Sequence, residues 1–113
     1  MIDVPRDRFE ELVAEALDSI PDELARHADN VVIRVVEDSP EGLLGLYVGI
    51  PLTERDDYGG LAMPDQISIF RRPILAHASS EADVVEQVQV TVIHEIAHHF
   101  GISDARLDEL GWA

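Results

Sequence analysis

The 113-residue chain contains no cysteine, and none of its basic residues is lysine. The first absence removes disulfide scaffolds, thiol nucleophiles and every cysteine-based zinc site, so a metal ion here must be held by His, Asp or Glu. The second leaves eight arginines against 23 acidic residues, a formal net charge of −15. Nucleic-acid binding needs clustered positive charge to displace counterions from phosphates, yet only Arg71 and Arg72 are adjacent. No nucleic-acid partner is expected. The acidity is read as a solubilising surface with some preference for basic partners.

Long hydrophobic runs are missing as well. The longest, residues 43–52, includes Pro51 and falls well short of the ~20 residues that span a bilayer, so no membrane partner is expected. The opening MIDVPRDRFEELV mixes acids and arginines, where a secretory signal needs a basic start and an unbroken apolar stretch. The expected location is cytoplasmic. The length predicts one domain over residues 1–113, burying roughly two-thirds of the extended chain's surface in a core that needs no staples.

Residues 5–20 carry Phe9, Leu12, Val13, Ala16, Leu17 and Ile20 at three- and four-residue spacing, the pattern of an amphipathic helix. Pro21 ends it, and DELARHAD predicts a short second helix. The β-branched run 31–36 reads as a strand. A turn at Asp38, Ser39, Pro40 and Gly42 leads to a second strand over 43–50, weakened by Gly45 and Gly49. The stretch PLTERDDYGGLAMPD predicts a long surface loop, and residues 66–71 predict a third strand stopped by Pro73. Ser80 and Asp83 resemble a capping box for a helix running from about residue 81 to Gly101. Ser103 then caps a last short helix, ARLDEL, closed by Gly111, and Trp112 reads as a core plug.

The chemistry lies in HEIAHHFGISD, residues 94–104, which fits HExxHxxGxxD. Helical residues four apart share a face with Cβ atoms ~5–6 Å apart, so His94 and His98 can direct ring nitrogens at one cation. A catalytic zinc takes three protein ligands and leaves a position for water, so the chain must supply one more. Gly101 permits a left-handed turn that ends the helix and folds the chain back, which makes Asp104 the predicted third ligand. Asp108 and Glu109 are the nearest replacements. On a helical wheel Gln87, Thr91, His94 and His98 form one polar stripe with Glu95 on its flank, while apolar residues fill most of the rest. His99 falls between Val88 and Val92 and reads as a packed histidine beside the ligands. His27 and His77 stand alone and read as ordinary polar residues.

HEIAHHFGISD, together with LLGLYVGIPLTER, PDQISIFRRPI and LDELGW, resembles the zincin metallopeptidases, specifically the small bacterial mini-zincin proteins. The resemblance implies an α+β minimal zincin fold, with a small twisted three-stranded sheet packed against an active-site helix and a backing helix, the latter being residues 5–20. One exposed strand edge is expected to flank the cleft. The short stretch after His98 is expected to exclude a third ligand from a distant later helix, and both methionines precede the motif, which excludes a methionine turn. Asp104 stands where metzincins commonly place His.

The implied function is zinc-dependent hydrolysis of a peptide bond in a peptide or protein substrate. Glu95 activates the water on zinc and passes its proton to the leaving amine. Tyr47, Arg55 and Tyr58 are the candidates for stabilising the oxyanion, against plainer roles in strand packing and loop anchoring. Two other classes stay open: a zinc-stabilised binding module of the same fold with little or no activity, and a metal-dependent RNA hydrolase. Glu95 and the charge of −15 argue against the latter.

Overall fold

A computed structural model describes residues 1–28, 31–49 and 64–112. Helix α1 (Arg6–Asp18) follows Pro5, whose carbonyl accepts from the Phe9 amide at 2.8 Å. Its three- and four-residue apolar spacing buries Phe9, Leu12, Val13 and Ala16 along one stripe. Pro21 starts α2 (Asp22–Ala25), which tightens into a 3₁₀ turn at Arg26–Ala28.

Three strands follow: β1 (Val31–Val36), β2 (Gly45–Val48) and β3 (Asp65–Phe70), in the spatial order β1-β3-β2. β3 runs parallel to β1, with Val31 opposite Asp65, and antiparallel to β2, with Gly45 opposite Ile69. The central strand buries Ile67 and Ile69 completely, whereas Val32 on β1 and Leu46 and Val48 on β2 are exposed. β2 is shorter than the predicted 43–50 at its start, and the predicted loop falls largely on residues 51–63, outside the described residues.

The third strand corrects the reading of Pro73. β3 ends at Phe70, and Arg71 opens a further helix, α3 (Arg71–His77), that the sequence did not predict. Pro73 lies within its first turn, where a backbone N–H has no intrahelical acceptor and proline costs nothing.

Helix α4 (Glu81–Phe100) begins at Ser80, whose Oγ accepts from the Asp83 amide at 3.1 Å, while Asp83 accepts from the Ser79 amide at 2.9 Å. It ends at Gly101 in the left-handed conformation, φ 70° and ψ 26°. α1 packs against it, as a backing helix should. Two apolar clusters meet along α4. Val84, Val88, Val92 and Ile96 join the main core with Phe9, Leu12, Ile67 and Ile69, whereas Ile93 and Ala97 pack with Leu24 and Leu107. Fully burying each large apolar side chain stabilises by roughly 1.5–3 kcal/mol, so both flanks of α4 are pinned. Trp112, half-buried, packs on the second cluster as the expected plug.

Ser103 caps α5 (Asp104–Glu109) through its Oγ, which accepts from the Arg106 amide at 3.1 Å. Ion pairs tie the layers: Arg8 of α1 meets Glu81 of α4 at 2.7 Å, and Glu37 after β1 accepts from Arg71 of α3 at 2.8 Å and from Arg6 of α1 at 3.2 Å. Among the described residues no helix is long and apolar enough to cross a membrane. The architecture is an α+β fold with a small mixed sheet, consistent with a minimal zincin fold.

Candidate metal centre

Between its two apolar flanks α4 leaves His94, Glu95 and His98 on a strip that neither cluster covers. The imidazoles of His94 and His98 face each other one turn apart, with centroids 6.2 Å apart and planes inclined at 67°. His94 and Glu95 are half-buried, and His98 is exposed. The Nε2 of His94 lies 3.3 Å from the Trp112 carbonyl oxygen. His94 and Glu95 line a groove of about 250 Å³ with Leu44 and Gly45 at β2 and with Val90 and Thr91 of their own helix. The strand edge beside the candidate site is therefore that of β2.

Gly45 explains how β2 comes so close. A Cβ there would collide with the Cγ2 methyl of Thr91, one turn before Glu95, and would sit 3.1 Å from the Ser68 carbonyl oxygen. Thr91 is buried, and its hydroxyl donates to the Gln87 carbonyl at 2.7 Å. Thr91 keeps its place on the predicted polar stripe, lining the groove with His94 and Glu95, and its methyl also serves the packing of strand on helix. In the sequence alone Gly45 reads as a weak point in a strand. An isolated glycine in a strand also signals close approach of another element, which is the role it has here.

Asp104 is the first residue of α5 and is exposed, reached from α4 through Gly101, Ile102 and Ser103. It is not the cap of α5, because Ser103 fills that role. Glu109 pairs with Arg106 at 2.7 Å, and Asp108 is exposed on the same short helix. Two imidazoles one turn apart and a carboxylate on the next element make a donor set suited to zinc. Among the described residues, no three His, Asp or Glu side chains are gathered closely enough to hold an ion. The chemistry of the donors fits zinc, while the ring of His94 is turned to the Trp112 carbonyl.

Tyr47 Oη donates to Asp65 Oδ2 at 2.7 Å, and its ring lies flat on His99 at 3.8 Å. This matches the strand-packing role of Tyr47, whereas His99, expected to be packed, stacks on Tyr47 with its side chain 40% exposed. Arg55 and Tyr58 lie outside the described residues. His27 packs on Phe100 at 5.0 Å, and His77 is exposed in the last turn of α3. Asp65 was not singled out in the sequence, since only the pairing of β2 with β3 brings it to Tyr47.

Comparison with known proteins agrees with this architecture. The model of a family described as zincin-like metallopeptidase matches residues 23–112, and the chain belongs to that family. A solved structure of a conserved hypothetical protein from Thermo thermophilus is similar, with a TM-score of 0.56 and 23% identity over 86% of this chain and 94% of that one. That similarity concerns the fold. No curated protein matches the chain.

Proposed function

We propose that the chain is a zinc-dependent metallopeptidase, with His94, His98 and Asp104 as the ligands and Glu95 as the general base. The observation that carries this reading is the pairing of His94 with His98, rings 6.2 Å apart on one uncovered strip of α4, beside a groove that Glu95 also lines. Membership of the zincin-like metallopeptidase family supports it. Zinc, when bound, supplies Lewis acidity toward a scissile carbonyl and toward water.

The remaining work falls to this chain's residues. The Glu95 carboxylate takes a proton from the attacking water and returns it to the leaving amine. The β2 edge and Val90 form the walls that bring a peptide or protein substrate to the groove. A second reading, a zinc-stabilised binding module, is favoured by the small size of that groove, about 250 Å³, at the low end of what encloses a ligand.

Elemental analysis after dialysis tests the metal: one zinc per chain is expected, lost in His94→Ala and His98→Ala. Wild type that takes up no added zinc would overturn the reading. A digest of a diverse peptide library then compares wild type with Glu95→Gln, which should keep zinc and fold while losing at least ~10²-fold in rate, the scale of a missing general base. Equal cleavage by both proteins would mean a contaminating protease. Zinc bound with no cleavage by either would favour the binding module.

A further inference from the structure

We propose that Tyr47, Asp65 and His99 form a clamp that positions His98 for metal binding, an inference that rests on the zinc reading above. His98 lies in the last turn of α4, which ends at Phe100. The final carbonyls of a helix lack intrahelical donors and terminal turns fray, so a ligand there is held only as well as its turn is held. His94, one turn earlier, has the fully buried Ile93 and Ile96 about it. His98 is itself exposed. Its restraint must come from the neighbours that share its turn.

Those neighbours are held from two directions. On one, the His99 ring lies parallel to Tyr47 of β2, 3.8 Å away and inclined by 13°. The Tyr47 hydroxyl donates at 2.7 Å to Oδ2 of Asp65, the first residue of β3, and the same oxygen lies 4.0 Å from His99 Nε2. The Asp65 side chain is 15% exposed; a carboxylate so far out of water needs hydrogen bonds, and a bond to a charged acceptor is among the stronger kinds. On the other, Phe100 stands edge-on to His99 at 4.9 Å and packs on His27 at 5.0 Å. Two strands and the turn after α2 therefore converge on the end of α4.

Tyr47, Asp65 and His99 act here through His98 and are positioning residues. A ligand ordered before the ion arrives loses less freedom on binding. Changing the residues that orient a metal ligand typically lowers affinity 10- to 100-fold.

The test is zinc affinity, by competition with a chromogenic chelator, together with the visible spectrum of the cobalt(II)-loaded protein. His99→Ala removes the stacked ring and should weaken zinc by about tenfold or more, with an altered cobalt spectrum. His99→Phe keeps a flat ring on Tyr47 and should recover affinity to within about threefold of wild type, well inside the loss expected of a disturbed orienting residue. Tyr47→Phe keeps the stack but cuts the bond to Asp65, and its affinity should fall between the two. The melting temperature of each metal-free variant separates lost positioning from lost folding. Wild-type affinity in His99→Ala, or equal losses in His99→Ala and His99→Phe, would overturn the clamp. Failure of wild type itself to bind zinc is a different result, which removes the zinc reading and the clamp with it.

Discussion

The Nε2 atom of His94 faces the backbone carbonyl oxygen of Trp112 across 3.3 Å. A carbonyl only accepts, so a hydrogen bond across this contact requires Nε2 to be the donor. Binding an ion through Nε2 must displace the carbonyl. Trp112 is the one tryptophan of the chain, half-buried against the Leu24, Ile93, Ala97 and Leu107 cluster, with its amide donating to Leu107 at 2.8 Å. Zinc titration should therefore shift Trp112 fluorescence with an end point at one equivalent, and His94→Ala should abolish the change. Constant emission while zinc demonstrably binds would show that His94 coordinates through Nδ1 or not at all.

Asp104 admits a sharp separation of roles because Ser103, and not Asp104, caps α5. Without metal, Asp104→Ala should cost only the helix-dipole contribution, about 0.3–1 kcal/mol. With zinc, the same variant should lose far more than the 10- to 100-fold typical of residues behind the ligands, and Asp104→His should restore binding. Chelator competition on the three proteins decides it. Unchanged affinity in Asp104→Ala would pass the role to Asp108, since Glu109 is engaged by Arg106.

Close packing at Gly45 makes a stability prediction. Gly45→Ala drives a methyl into Thr91 Cγ2 and should destabilise by about 1–3 kcal/mol, the usual cost of overpacking. Thr91→Ser deletes the opposing methyl and keeps the hydroxyl that bonds Gln87, so the double variant should recover much of the loss. Chemical denaturation of the four proteins in this cycle measures the coupling. Additive losses would mean that Gly45 serves some need other than the approach of β2 to α4.

Acid should loosen the molecule at defined points. The Arg106 guanidinium, hydrogen-bonded to Glu23, holds that carboxyl below the usual glutamate range, as Arg71 does for Glu37 and Arg8 for Glu81. A carboxyl lowered on folding contributes stability that is present above its unfolded value and lost as pH falls through its folded value. The melting temperature should hold steady near neutrality and drop as pH falls below the ordinary glutamate value of 4.5. Glu23→Gln should make the drop shallower. Glu81 is exposed and Glu23 and Glu37 are only half-buried, so high salt should shrink the difference between variant and wild type.

Much of this architecture is legible from local pattern, and the failures have physical causes. The long helix carries its own boundaries: Ser80 and Asp83 at one end and left-handed Gly101 at the other stand where the sequence puts them. Helix α3 escaped because Pro73 punctuates a strand and a helix's first turn equally well, and only the position of Arg71 distinguishes them. The order β1-β3-β2 was not readable, because strand propensity is local and the parallel pairing of β1 with β3 is a long-range choice. At the site, helical spacing gave the His94–His98 face. The Tyr47–Asp65–His99 contact joins three elements and leaves no periodic trace in any one of them.

The turn at Gly101 has a consequence for the handedness of what can replace it. A Cβ built there meets nothing within 4 Å, so space does not demand glycine; the φ of 70° does. An L residue in that conformation costs roughly 1–2 kcal/mol, even though it would touch nothing. D-alanine is the mirror case, at ease with positive φ and restricting the unfolded chain, an effect that stabilises by about 0.4–1 kcal/mol where the native angles suit the new residue. Between the histidines of α4 and the carboxylate of Asp104 the Ile102 amide already donates to the Ala97 carbonyl at 2.8 Å, and assembly of the 113 residues by chemical ligation could lock this corner further without adding a contact.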